Sequence, residues 1–256
     1  MTRSNRVVVL TATLLTLISV PSLAQQRPLV TESPESVGSG LVLIEGGFDF
    51  VRDQQYPVSG LEGHRFKAPT LGISVGVSSI AEIQIDGVSY QRLSVTNRTE
   101  APLSRFVNIN GDTTSDMDDI VIGAKTRLLS ETGRRPAIGL RFATRLPNAG
   151  NESGLGLDTF DFINTLLVGK TVGDVHVIGN IGLGILSDPT RGDRQNDVVV
   201  YGLSLARAMN EMVAIVGEVS GHANTRRGDP PPGTDSTAYI RAGLRYTHGS
   251  VRFDGA

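Results

Sequence analysis

The sequence predicts an all-β chain, an antiparallel up-and-down transmembrane β-barrel of about twelve strands. Three observations predict it. Apolar residues recur with period two nearly to the end of the chain, the connections alternate between long and short, and charged residues keep to one face of each strand. The stretch Asp118–Pro147 (DDIVIGAKTRLLSETGRRPAIGLRFATRLP) carries all three. Ile120, Ile122, Ala124, Thr126 and Leu128 alternate with Lys125 and Arg127. After a turn, Ile138, Leu140, Phe142, Thr144 and Leu146 alternate with Arg141 and Arg145.

From the N-terminus, Arg3 and Arg6 precede an apolar run, Val7 to Val20, that is too short for a membrane helix. Pro21 and Ser22-Leu23-Ala24 follow, with small residues three and one before a cut after Ala24. Residues 1–24 are therefore expected to be a secretory signal peptide. Residues 25–40 (QQRPLVTESPESVGSG) are polar and rich in Pro, Gly and Ser, and read as an irregular segment. Residues 41–256 read as the barrel.

Its strands are expected at 41–51, 67–77, 80–95, 118–129, 136–146, 158–170, 174–186, 196–207, 211–221 and 236–247, with an eleventh starting at Ser250. The links after the odd strands are long: 52–66, 96–117, 147–157, 187–195 and 222–235. The links after the even strands are short: 78–79, 130–135, 171–173, 208–210 and 248–249. Outer-membrane barrels have this asymmetry, with short periplasmic turns and long outer loops. Strands of about 9–11 residues at a steep tilt cross a bilayer, whereas globular strands average about 5–6. The chain stops at VRFDGA with its eleventh strand barely begun, so the last part of a twelve-stranded barrel is expected to be missing from it. Aromatic residues are 5% and Trp is absent, so the aromatic girdles are expected to be thin.

Composition excludes several functions. A net charge of −2 offers no electrostatic basis for nucleic-acid binding. The absence of Cys excludes disulfides and thiolate sites. Gly72-Ile73-Ser74-Val75-Gly76 matches G-x-S-x-G, but it lies inside an alternating strand rather than at a strand–turn–helix junction. His64, His176, His222 and His248 show no metal-ligand spacing. Asp112, Asp116, Asp118 and Asp119 cluster in the longest outer loop without the spacing of an EF-hand, leaving cation binding there open. No catalytic set, metal or cofactor is expected, and the chain does not read as an enzyme.

On a barrel the polar strand face lines the lumen. The residues expected there are Glu82, Asp86, Arg92, Lys125, Arg127, Arg141, Arg145, Asp161, His176, Glu218, Arg241 and Arg245. In an open pore such charges tune selectivity; in a closed barrel they pair.

Two groups of motifs carry a resemblance. The first is RPLVTESPESVGSGLVLIEGGFDF near the N-terminus; the second is TSDMDDIVIGAKTRLL, PAIGLRFATRLPNAG, LGLDTF and DVHVIGNIGLGILSD in that order. They resemble the exported family named for the MetA pathway of phenol degradation, over essentially all of the chain after residue 24. The chain departs from that family at Asp116-Met117-Asp118, where the family tends to have Gly, and in lacking the family's final strands. The resemblance implies an outer-membrane barrel of transporter type for hydrophobic or aromatic compounds.

The function expected is passive transport or binding of small, hydrophobic or aromatic compounds in the cell outer membrane. The expected partners are the lipid bilayer, lipopolysaccharide and a small solute. Three alternatives stand beside it: a structural or adhesive barrel without transport, a barrel hydrolase, and a soluble periplasmic β-barrel with an apolar ligand cavity.

Overall fold

A computed structural model describes residues 29–256. The expected signal peptide and residues 25–28 lie outside the described residues. The chain is all-β, as the period-two pattern predicts, and forms one curled antiparallel sheet. Its strands are β1 (Val42–Tyr56), β2 (Leu61–Gly76), β3 (Ala81–Arg98), β4 (Thr113–Met117), β5 (Val121–Leu129), β6 (Ala137–Arg145), β7 (Asp161–Val172), β8 (Val175–Ser187), β9 (Gln195–Ala208), β10 (Val213–Asn224), β11 (Thr237–His248) and β12 (Val251–Gly255). Each strand pairs with its neighbour in the chain, except that β5 joins β3 and the short β4 continues the same edge higher on β3. The meander is therefore up-and-down throughout. β1 and β12 run in the same sense, and no ladder joins them among the described residues.

Side-chain alternation survives almost intact. Ile83, Ile122, Phe142, Phe162, Leu183, Leu203, Ile215 and Leu244 stand exposed on the outer, convex face. Glu82, Gln84, Lys125, Asp161, Ser204 and Glu218 are buried on the inner face. The extreme outward positions are Ile240, 82% exposed, and Phe48, 78% exposed. This is the reverse of a water-soluble barrel, which buries its apolar face. Hairpin turns at one end are tight. Val172 pairs with Val175 across Gly173-Asp174, and Gly173 takes φ 62°, the left-handed geometry that two-residue hairpin turns require.

Two of the five links at the other end differ from the expected loops. The expected link 52–66 is mostly strand, because β1 and β2 continue to Tyr56 and Leu61 and turn at 57–60. The expected link 96–117 is partly strand, because β3 extends to Arg98 and β4 returns along it. Between them, residues 99–112 hold a single 3-10 turn, Ser104–Phe106. β1 to β4 thus form an extension standing above the rest of the sheet.

That extension reverses one face assignment. In β3 the buried positions are Glu82 and Gln84 below Gly87, but Ser89, Gln91, Leu93 and Val95 above it. Gly87 has φ 79°, and a Cβ there would lie 2.2 Å from the Asp119 carbonyl oxygen, so the backbone is pinched where β4 gives way to β5. The extra residue at such a bulge turns the strand over. Arg92 consequently points outward beside Tyr90, and Leu93 points inward, opposite to the sequence expectation. β2 shifts register over the same level, between Lys67 and Thr70. Just above this level the inner face is still polar, with Ser89, Gln91 and Lys67, and it turns apolar toward the tip. Leu61, Leu93, Val95 and Leu155 form a buried cluster, against which Tyr56, Val107 and Ile109 pack from β1 and the loops.

Candidate functional site

Below that cluster, adjacent strands place charged residues opposite one another on the inner face. Glu82 of β3 pairs with Lys125 of β5, which pairs with Arg141 of β6. Arg145 of β6 pairs with Asp161 of β7, Glu218 of β10 with Arg241 of β11, and Arg245 of β11 with Asp254 of β12. Four of these cross-strand pairs join unlike charges and make ion contacts: Glu82–Lys125, Arg145–Asp161, Arg241 Nη1–Glu218 Oε1 at 2.9 Å, and Arg245 Nε–Asp254 Oδ1 at 3.0 Å. Opposite charges facing across a ladder stabilise it by some tenths of a kcal/mol to ~1 kcal/mol, and like charges oppose it.

Lys125 and Arg141 break the rule, being like charges side by side. Their compensation comes from residues 29–40, an irregular segment running beneath the concave face. Thr31, Glu32, Ser33, Pro34 and Val37 are all buried there. Glu32 places Oε1 2.9 Å from Lys125 Nζ and Oε2 3.5 Å from Arg141 Nε. Glu82 closes the group at 3.0 Å from Lys125, and Gln84 donates to both Glu32 and Glu82 while accepting from Arg141 at 2.7 Å. Glu35 pairs with Arg127, two residues along the same face of β5.

The remaining contacts hold this strap across the concavity. Ser36 donates to the Ser79 carbonyl in the β2–β3 turn, and the Val37 N–H donates to Glu82. Pro34 lies against Gly139 of β6 and Gly169 of β7, where a Cβ would meet it at 3.0–3.3 Å. The Glu32 N–H donates to Asn180 of β8, whose amide donates back to the Glu32 carbonyl. The N–H groups of Val30 and Thr31 and the Thr31 hydroxyl all donate to Glu218. One chain segment thereby touches strands from β3 to β10. Its anchors run from the short β2–β3 turn at Ser79 to mid-strand at Asn180 and Glu218.

The structure brings together most of the residues expected in the lumen, and it shows what they hold. Lys125, Arg127, Arg141, Glu82 and Glu218 meet the strap. Asp86 lies 3.8 Å from Arg141. Arg145 and Asp161 sit nearer the long-loop end, where Asp161 also accepts the Ser187 N–H. Arg241 pairs with Glu218 while lying over the Tyr239 ring, and Arg245 pairs with Asp254. His176 is set apart beside the β7–β8 turn, 2.9 Å from the Thr171 hydroxyl. Arg92 is on the other face.

Sequence reasoning missed Glu32 and Glu35. The polar, Pro-containing composition of 25–40 reads as an irregular segment, and nothing in its spacing signals burial. It also missed the contact between the edge strands, where Arg252 of β12 pairs with Asp254 at 2.6 Å and reaches Glu45 of β1 at 3.8 Å.

The acidic stretch Asp112–Asp119 serves as a tether. Asp116 accepts the Gly150 N–H, Asp118 pairs with Lys67, and Asp119 accepts the Asn148 and Ala149 N–H groups. Burial raises the Asp119 pKa, and those hydrogen bonds with the nearby Arg145 cation oppose the rise only in part. Ser74 of the G-x-S-x-G match lies within β2, near its end, paired with Leu43 and Gln84. No family model matches this chain, and no curated protein matches it.

Proposed function

We propose that the chain is an outer-membrane β-barrel that passes small organic compounds down their gradient, with its convex face in lipid and its charged face lining the path. The observation that carries this reading is the inversion of face chemistry. The convex face presents a continuous belt of Ile, Leu, Val and Phe, while Lys, Arg, Glu and Asp are buried on the concave face. In water such a belt costs about 25 cal/mol for each Å² left exposed, and contiguous apolar surface beyond a few hundred Å² marks a contact surface. In a bilayer the same belt is solvated. A sheet in lipid must have its backbone groups satisfied, which favours a barrel over any open form.

On β5 to β12, away from the β1–β4 extension that carries Arg52 and Arg92 outward, ionisable groups on the convex face keep to the strand ends. On β9 they are Asp197 at one end and Arg207 at the other, with Val199, Tyr201, Leu203 and Leu205 between. An Arg at mid-membrane would cost ~2–4 kcal/mol. The solute class suggested by resemblance, hydrophobic or aromatic, belongs to this proposal.

The strap favours a second reading, a permanently plugged structural barrel, because it occupies the face that a solute would follow. Two measurements decide. Heat-modifiable gel migration of protein from washed outer membranes is expected for a membrane barrel; a soluble periplasmic protein without a heat shift would contradict it. Solute-dependent conductance in a planar bilayer is expected for a transporter, and a folded barrel silent under all conditions would be the structural one.

A further inference from the structure

We infer that the compounds this barrel takes are small carboxylates, which displace the strap by replacing the side chains of Glu32 and Glu35. This rests on the transport reading. Lys125 has a side chain with no solvent exposure, and Arg141 adjoins it in register with 16% side-chain exposure. Without Glu32, Lys125 keeps Glu82, and Arg141 keeps Gln84 and the more distant Asp86. Without Glu35, Arg127 keeps the Ser79 carbonyl. Two neighbouring cations and a third on the same strand face thus lose two carboxylates together. Removing one partner from a buried ion pair is far more costly than exchanging it for an equivalent one. A solute carboxylate restores the contacts that Glu32 and Glu35 make, whereas a neutral solute or a cation does not.

The sites are built for carboxylate geometry. Glu32 is held through both oxygens, one on an ammonium and one on a guanidinium, with the Gln84 amide as a further donor. Arg127 offers a second position two residues along β5, about 7 Å away. The opposite anchor, Glu218, takes only N–H and hydroxyl donors from the strap, so displacement exposes no second cation cluster there.

The test uses the full chain in lipid bilayers with cysteines at Ser36 and Ser79, which the Ser36–Ser79 hydrogen bond brings together in a protein otherwise lacking Cys. A disulfide locks the strap, reduction frees it, and thiol titration reports which state is present. The solute is sodium acetate under a concentration gradient. Conductance is expected to rise several-fold on reduction, with a reversal potential set by acetate. The unlocked Glu32→Gln/Glu35→Gln protein is expected to conduct acetate several-fold better than the unlocked parent. Current indifferent to the lock would overturn the strap's role, and sodium-selective current would overturn the carboxylate class. A heat-modifiable barrel with no current in either state would remove the transport reading itself, and this inference with it.

Discussion

Lys125 and Glu32, 93 residues apart in the chain, form an ion pair of 2.9 Å with the lysine side chain wholly shielded from solvent. The pair joins an irregular segment to the sheet, and it does so where the sheet's own register sets Lys125 beside Arg141. Lys125→Met would leave Glu32 and Glu82 facing each other without their shared cation. The expected loss is about 3–5 kcal/mol, the range for breaking a buried pair. Urea unfolding of the folded barrel in detergent measures it. Lys125→Met with Glu32→Gln and Glu82→Gln is expected to regain much of that loss, and a triple variant no more stable than the single one would contradict the assignment.

Gly87 tests the reversal of β3. Alanine there would carry a Cβ 2.2 Å from the Asp119 carbonyl at a φ of 79°. Gly87→Ala is expected to cost about 1–3 kcal/mol, as strained backbone positions do. The same urea titration reads it, and a neutral result would mean the pinch relaxes freely.

How much of this was legible in the sequence follows from these two positions. Period-two alternation marked the strands and faces of β5 to β11 because each keeps a single phase. It misassigned Arg92 and Leu93, since a bulge at one glycine inverts everything beyond it and a lone Gly in a strand does not announce its φ. The cations of the inner face were legible as an uncharged face's opposite. Their anions were only half legible, because Glu82, Asp161 and Glu218 sit in strands while Glu32 and Glu35 sit in a segment with no periodicity to read. The strand content of 52–66 and 96–117 was hidden by the polar, turn-rich composition of hairpins that rise beyond the apolar belt.

Glu131, in the turn between β5 and β6, gives a pH signature. Partial burial raises its pKa, but the Thr171 N–H at 2.8 Å, Lys170 at 3.1 Å and the Thr171 hydroxyl outweigh that, and the net shift is downward. A depressed carboxyl contributes stability that is fully present above its unfolded pKa and is lost as pH falls through the folded one. Glu131→Gln is therefore expected to cost up to about 1 kcal/mol at neutral pH, after solvent screening of this partly exposed group. The difference from the parent should vanish below the ordinary Glu range. A deficit that persists unchanged at acid pH would rule out the ionic origin.

Leu203, 51% exposed on the convex face of β9, lies between Tyr201 and Leu205. Leu203→Arg is expected to cost ~2–4 kcal/mol in a bilayer. Arg207, at the short-turn end of the same face, pairs with Asp174 and marks where charge is tolerated. Folding into liposomes under a urea gradient compares Leu203→Arg with the parent. Equal stability would mean that this face does not meet hydrocarbon.

Adjacent residues of β11 provide the most direct test of the central claim that the convex face lies in lipid. Ile240 points outward and is 82% exposed, while Tyr239 points inward beneath Arg241. The chain has no Trp, so Ile240→Trp and Tyr239→Trp each introduce one unambiguous fluorophore. In bilayers of lipids brominated along the acyl chains, emission from Trp at 240 is expected to be strongly quenched and that at 239 largely spared. Equal quenching at both positions, or quenching at neither in a protein that stays in solution, would contradict the lipid-facing assignment.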